Sequence, residues 1–172
     1  VLIEYRVFPE HGLVAIPDFL SDVEAATLPC AAVSAWNALF VSAAIKPGDT
    51  VVVQGTGGVS LFALAFAKLA GARVVATSSS EEKLERVRAL GADETIDYRR
   101  HPDWGRRVRD LTGKGADLVV EVGGAGTFEQ TLVALRNGGQ MSFVGFLSGT
   151  VPNFDLSQIG MKSIRIRGIR VG

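Results

Sequence analysis

The sequence predicts an α/β fold, a doubly wound six-stranded parallel sheet with helices on both faces. Three observations predict it. From Asp49 onward, short apolar runs of strand length alternate with stretches of helical periodicity. The runs, of which Val51-Val52-Val53 is typical, are apolar at successive positions, as strands covered on both faces must be. A glycine-rich turn, Gly55-Thr56-Gly57-Gly58-Val59-Ser60, joins the first of these strands to a helix that is apolar nearly all round.

Residues 1–20 read as an extended lead-in, with Ile3, Tyr5 and Val7 alternating and Pro9, Gly12 and Pro17 breaking any regular element. His11, in this Pro/Gly-rich stretch, reads as a solvated loop residue without a role. Ser21-Asp22-Val23-Glu24 is a capping box that opens a short helix. Pro29 predicts a break. A helix over Ala31 to Ala44 follows, with Trp36 and Phe40 on one face as core packing. Then come strand 50–54, helix 58–70 and strand 73–77. Ser78-Ser79-Ser80 and the acidic Glu81-Glu82 open a helix that runs to Leu90 and stops at Gly91. Strand 94–97 precedes a helix with Pro102 in its first turn and Trp104, Val108 and Leu111 at helical spacing. Residues 116–122 read as another apolar strand, and 128–135 as a helix stopped by Asn137-Gly138-Gly139. Strand 140–146 and a loop carrying Pro152 come next. The last strand, within 163–169, alternates apolar residues with arginine, as a sheet edge does when charge guards it or another chain pairs with it.

The totals exclude several function classes. A chain of 172 residues is one comfortable domain. With 18 Lys+Arg against 18 Asp+Glu, no net field draws it to nucleic acid or anionic membrane. A single cysteine, Cys30, excludes an internal disulfide framework and fits a reducing, cytoplasmic setting. No stretch reads with the length and purity of a membrane span, and no signal peptide opens the chain. Both ends, at Val1 and Gly172, fall abruptly beside strand patterns, so a piece of a longer protein is expected: a lead-in at 1–20 and the α/β domain at 21–172.

Strand, glycine turn and buried helix in this order form the setting of a dinucleotide-binding turn. Gly55 permits the bend, Gly57 lets backbone approach a diphosphate, and the amides at the helix start, around Thr56, Gly58 and Val59, point at the anion. The wording is G-x-G-G-x-S: Ser60 stands at the third glycine and Gly58 is additional. At the end of the second strand, where a carboxylate would hold the adenosine ribose of NAD, the chain reads Thr77-Ser78-Ser79-Ser80, with Lys83 one helical turn on. Hydroxyls and a lysine suit the 2′-phosphate of NADP, although Glu81 and Glu82 dilute the positive field. The missing acid also argues against a methyltransferase, and no Walker A sequence occurs. Val122-Gly123 and Val144-Gly145, at the ends of the fourth and fifth strands, are placed to line the crevice against a nicotinamide ring. Cys30 has no His or Cys neighbour at zinc-site spacing; it is either a small hydrophobe or one ligand of a metal completed elsewhere. No nucleophilic pair stands out.

Together these residues resemble the medium-chain dehydrogenase/reductase superfamily, in its quinone-oxidoreductase-like and zinc-type alcohol-dehydrogenase-like branches. The resemblance rests on Ala25 to Trp36, Lys46 to Val51, Gly55 to Ser60, Leu90-Gly91-Ala92-Asp93 and Gly138-Gly139, in consistent order along the chain. It implies the nucleotide-binding Rossmann domain of a nicotinamide-dependent oxidoreductase. The substrate for hydride exchange with NADPH would be a carbonyl, an alcohol or a quinone. It implies a 2′-phosphate site at Lys83 and Tyr98, a hydroxyl at Ser34 near the nicotinamide, and a GroES-like substrate domain preceding residue 1. It also implies a homodimer through the last strand, with NADP as cofactor and no zinc expected. Two alternatives stand beside it: a zinc-dependent alcohol dehydrogenase with Cys30 as one ligand, and a non-catalytic dinucleotide-binding module.

Overall fold

The computed structural model describes residues 3–171. Val1, Leu2 and Gly172, where the two expected segments begin and end, lie outside the described residues. Six strands form one sheet: β1 (Thr50–Gln54), β2 (Arg73–Ser78), β3 (Glu94–Asp97), β4 (Ala116–Glu121), β5 (Leu135–Phe143) and β6 (Arg165–Gly168). Their order across the sheet is β3-β2-β1-β4-β5-β6, with every neighbouring pair parallel. This is the doubly wound Rossmann order, in which the chain reverses direction of travel beside β1.

The period of two along each strand sends alternate residues to opposite faces. Val51 and Val53 join one core with Ala63, Leu64 and Ala67 of α3 (Gly58–Leu69) and Val87 of α4 (Glu81–Ala89). Val52 joins the other with Trp104 and Val108 of α5 (Trp104–Thr112) and Leu132 of α6 (Phe128–Ala134). Both faces are covered, which is why the strands read as unbroken apolar runs.

Several elements differ from the sequence reading. Pro29 does not end a helix. After α1 (Asp22–Ala25) the chain enters a π-helical turn at Leu28–Ala32, with Pro29 at its start, where a missing N–H costs nothing. This continues through α2 (Val33–Trp36) into a second π-helical stretch, Asn37–Ser42. Trp36 is not core: it is 52% exposed, tilted at 50° against Phe40 with ring centroids 4.3 Å apart, and edge-on to Phe66 at 5.6 Å. The helical run Asp22–Ser42 does reach the length and mean hydropathy (1.3) of a membrane span, contrary to expectation. Its apolar content is explained by Ala35, Ala38 and Leu39, which are fully buried in the core beside α3.

β5 begins at Leu135 and ends at Phe143, earlier at both ends than expected. Asn137-Gly138-Gly139 does not separate helix from strand but bulges within β5, so Ala116 pairs with Leu135 while Leu118 already pairs with Gln140. A short helix, α7 (Ser157–Met161), fills part of the expected Pro152 loop. Just beyond it, the Lys162 Nζ donates to the carbonyls of Leu132 (2.6 Å), Val133 (3.1 Å) and Leu135 (3.0 Å), closing the C-terminal end of α6. The Lys162 carbonyl in turn accepts from the Gly138 amide at 2.7 Å.

β4 is apolar apart from two acids that it buries. Asp117 sits at its start, taking the Thr50 amide (2.8 Å) on one oxygen and Arg136 Nε (2.5 Å) on the other. Burial raises its carboxyl, but the Thr50 amide, Arg136 and Lys114 together outweigh that and hold it below the ordinary 3.8. A lowered folded value means that the unfolded chain takes up the proton first. The contribution to stability is therefore complete above 3.8 and lost as pH falls through the folded value. Asp117→Asn, with one acceptor for two donors, should lower unfolding free energy at neutral pH by about 1–3 kcal/mol in urea titration. The gap from wild type should close below pH 3.8; a gap of constant size down to pH 2 would contradict the ion-pair account.

Candidate functional site: the crevice at the carboxyl edge of the sheet

The turn leaving β1 is built by sterics. Gly55 takes φ +72, a left-handed conformation open to glycine, while its amide extends the ladder to the Thr77 carbonyl at 2.7 Å. A Cβ on Gly57 would meet nothing within 4 Å, so the backbone there is open to a ligand. A Cβ on Gly58 would lie 3.2 Å from that of Ala31, so the additional glycine lets the Leu28–Ala32 turn cross the start of α3. Ser60, at the third-glycine position, is buried, and its hydroxyl donates to the Gln54 carbonyl at 2.6 Å. Serine therefore replaces close packing with a stitch between helix and strand. The 12-residue α3 has no side-chain N-cap, so its first amides and the positive end of its dipole are left without a side-chain partner.

At the end of β2, Ser78 is buried and Ser79 half-buried, while Lys83 is exposed on α4. The Tyr98 amide donates to the Ser78 carbonyl at 3.0 Å, which ties the end of β3 to that of β2, and the Tyr98 side chain is exposed. Glu81 is paired with Arg88 at 2.6 Å, so the dilution of the positive field near Lys83 falls mainly to Glu82.

Between these two places lies a cleft of about 470 Å³. Gln54, Gly55, Thr77 and Tyr98 border it on one side; Val122, Gly123, Thr127 and Ser148 border it on the other, with Pro102, Trp104 and Gln130 between. Of the residues singled out from sequence, Gly55, Tyr98, Val122 and Gly123 meet in this cleft. Thr56, Gly57, Gly58 and Val59 continue the turn from Gly55 without lining the cleft, and Ser78, Ser79 and Lys83 do not line it either. Val144 and Gly145 follow β5, with Gly145 so close that a Cβ would lie 2.8 Å from the Val122 carbonyl. Ser34 is buried at 1% exposure within α2.

The feature that sequence reading missed is the floor of this crevice. Glu121 is fully buried. Its Oε1 accepts from the amides of Gly123 (2.7 Å) and Gly124 (2.9 Å) and from the Thr127 hydroxyl (2.6 Å). Its Oε2 accepts from Gln54 Nε2 (2.8 Å) and the Thr131 hydroxyl (2.5 Å). Gln54 Oε1 accepts from the Val122 and Gly123 amides at 3.2 and 3.3 Å. The Gly123 amide is thus engaged within the protein, and a Cβ on this glycine would collide with the Thr127 side chain, so its missing side chain makes room for Thr127. A signal was present, since an acid and an amide end two otherwise apolar strands, Val119-Val120-Glu121 and Val52-Val53-Gln54.

The family model for zinc-binding dehydrogenases matches residues 58–172. The chain belongs to this family, within the medium-chain dehydrogenase/reductase superfamily. It is 49% identical to a zinc-type alcohol dehydrogenase-like protein of Schizosaccharomyces pombe, an alignment covering 98% of this chain and 51% of that protein. Among solved structures it is similar to an NAD-dependent alcohol dehydrogenase, with a TM-score of 0.90 and 42% identity over 96% of this chain and 48% of the other. It is also similar to a mycobacterial protein complexed with NADPH, with a TM-score of 0.83 and 33% identity over 91% and 49% of the two chains. The chain spans about half the length of the curated relatives it matches.

The family name raises zinc, but the residues present do not make a site for it. Cys30 is exposed and free, and among the described residues no group of three or more His, Cys, Asp or Glu stands together. A dinucleotide fits better, given an open backbone at Gly57, unshared helix amides and a cleft running from β2 to β4. Gly55→Ala, which forces an L-residue into φ +72, should cost about 1–2 kcal/mol in thermal unfolding. An unchanged melting temperature would mean that the turn relaxes to another conformation.

Proposed function

We propose that this chain is the cofactor-binding half of an NADP(H)-dependent oxidoreductase that exchanges hydride with a carbonyl, alcohol or quinone substrate. The observation that carries this reading is the β1–α3 turn at the middle of the β3-β2-β1-β4-β5-β6 sheet, where a glycine-lined bend delivers helix amides to the switch point. Gly55, Thr56, Gly57, Gly58 and Val59 hold the diphosphate. Ser79, Lys83 and Tyr98 take the 2′-phosphate, Ser78 anchoring Tyr98 through its carbonyl. Val122, Gly123, Val144 and Gly145 border the nicotinamide, with Ser34 behind it. When bound, the nicotinamide supplies the hydride; the protein's part is to orient it and keep water away.

Support for NADP over NAD is the lack of a carboxylate after β2. Relatives of both kinds exist, one named NAD-dependent and one complexed with NADPH. Residues 3–20 fit a lead-in that packs on a further domain, the expected GroES-like substrate domain: Tyr5, Val7, Val14 and Phe19 are 88%, 97%, 92% and 83% exposed. The exposed β6, with Ile166 between Arg165 and Arg167, suits strand pairing across a homodimer. The balance of charge and the free Cys30 fit a cytoplasmic protein with no nucleic-acid or membrane partner.

Calorimetry with NADPH and NADH tests the cofactor assignment, the expected result being tighter binding of NADPH; equal affinities would remove the 2′-phosphate argument. Lys83→Glu should raise the Kd for NADPH about tenfold and leave that for NADH within about twofold. Equal losses for both would mean that the substitution disturbs α4 rather than a phosphate contact.

A further inference from the structure

We propose that Glu121 is a positioning residue: its buried carboxylate sets the wall against which the nicotinamide half of the cofactor lies. This rests on the reading that the crevice takes NADPH. The adenosine half belongs to the β1–β3 side, where the 2′-phosphate residues stand, and the second nucleotide to the β4–β6 side. Glu121 ends β4 on that second side and holds the strands that flank it. Its side chain binds Gln54 at the end of β1 and Thr131 in α6, while its main-chain carbonyl accepts from Val144 (2.8 Å) and Gly145 (3.2 Å) after β5.

The direction of every bond in this network follows from one acceptor-only group. Each Glu121 oxygen faces donors and only donors, so Gln54 must turn its Nε2 toward Glu121 and its Oε1 toward the Val122 and Gly123 amides. No lysine, arginine or histidine lies within ion-pair distance of Glu121 among the described residues, so neutral donors solvate it. An amide in its place would set an NH2 against donors. Flipping Gln54 to relieve that contact would turn its own NH2 onto the Val122 and Gly123 amides. The disturbance therefore runs to residues that border the cleft, while Ser79, Lys83 and Tyr98 take no part in the network.

The test compares NADPH with adenosine 2′,5′-bisphosphate, which carries the adenosine half and its 2′-phosphate alone. Glu121→Gln should raise the Kd for NADPH about tenfold and leave that for the bisphosphate within about twofold. Thr131→Val, which removes the donor to Glu121 and the acceptor for Gln54 Nε2 (2.8 Å) at a side chain outside the cleft, should weaken NADPH by about threefold, and Thr131→Ser should restore it. If Glu121→Gln does not fold, the threonine pair decides. Equal weakening of both ligands, or unchanged NADPH binding, overturns the positioning role. Failure of the wild-type chain to bind either ligand overturns the crevice reading and this inference with it; wild-type binding of NADPH that ignores both substitutions overturns the inference alone.

Discussion

Gln54 Nε2 meets Glu121 Oε2 at 2.8 Å where β1 and β4, both buried on two faces, run out of ladder partners. The ends of central parallel strands are a recurring difficulty of this architecture, since their last polar groups lie too deep for water and beyond the sheet's own hydrogen bonds. Here a carboxylate and an amide side chain satisfy them, and the described residues contain no buried side-chain donor or acceptor without a partner. The same contacts continue the β1–β4 pairing past the last ladder residues, under the cleft.

The opposite wall depends on smaller devices. Ser60 ties α3 to the last carbonyl of β1, and Gly58 admits the Leu28–Ala32 turn against the start of that helix. Packing at these points aims α3 at the cleft before any ligand arrives, and pre-organisation of this kind lowers the entropy lost on binding. The arrangement explains why a serine serves at a position where glycine is the usual solution: it remains small and adds a bond.

Much of this was legible in the sequence because strand and helix periods differ and because Gly55 and Gly91 mark turns that only a left-handed residue makes easily. All six strands, the four helices α3 to α6 and the glycine turn follow from those signals. What escaped was long-range. An acid and an amide are visible at the ends of β4 and β1, but the 67 residues between Gln54 and Glu121 hide that the two meet. The exposure of Trp36 was equally hidden, since its spacing to Phe40 looks the same whether the pair faces a core or solvent. The bulge at Asn137–Gly139 was mistaken for a helix stop because glycine serves both purposes.

Lys162 gives the far edge of the sheet an unexpected standing. Its ammonium closes α6 while its carbonyl grips the bulge of β5, so the residue that ends α7 is tied to two earlier elements of the chain at once. Removing the chain from α7 onward would do more than shorten the sheet by one strand. It would uncap the helix that begins after Thr127 and carries Thr131, the two hydroxyls that donate to Glu121. The outermost strand is thereby tied, through Lys162 and α6, to the carboxylate that ends β4.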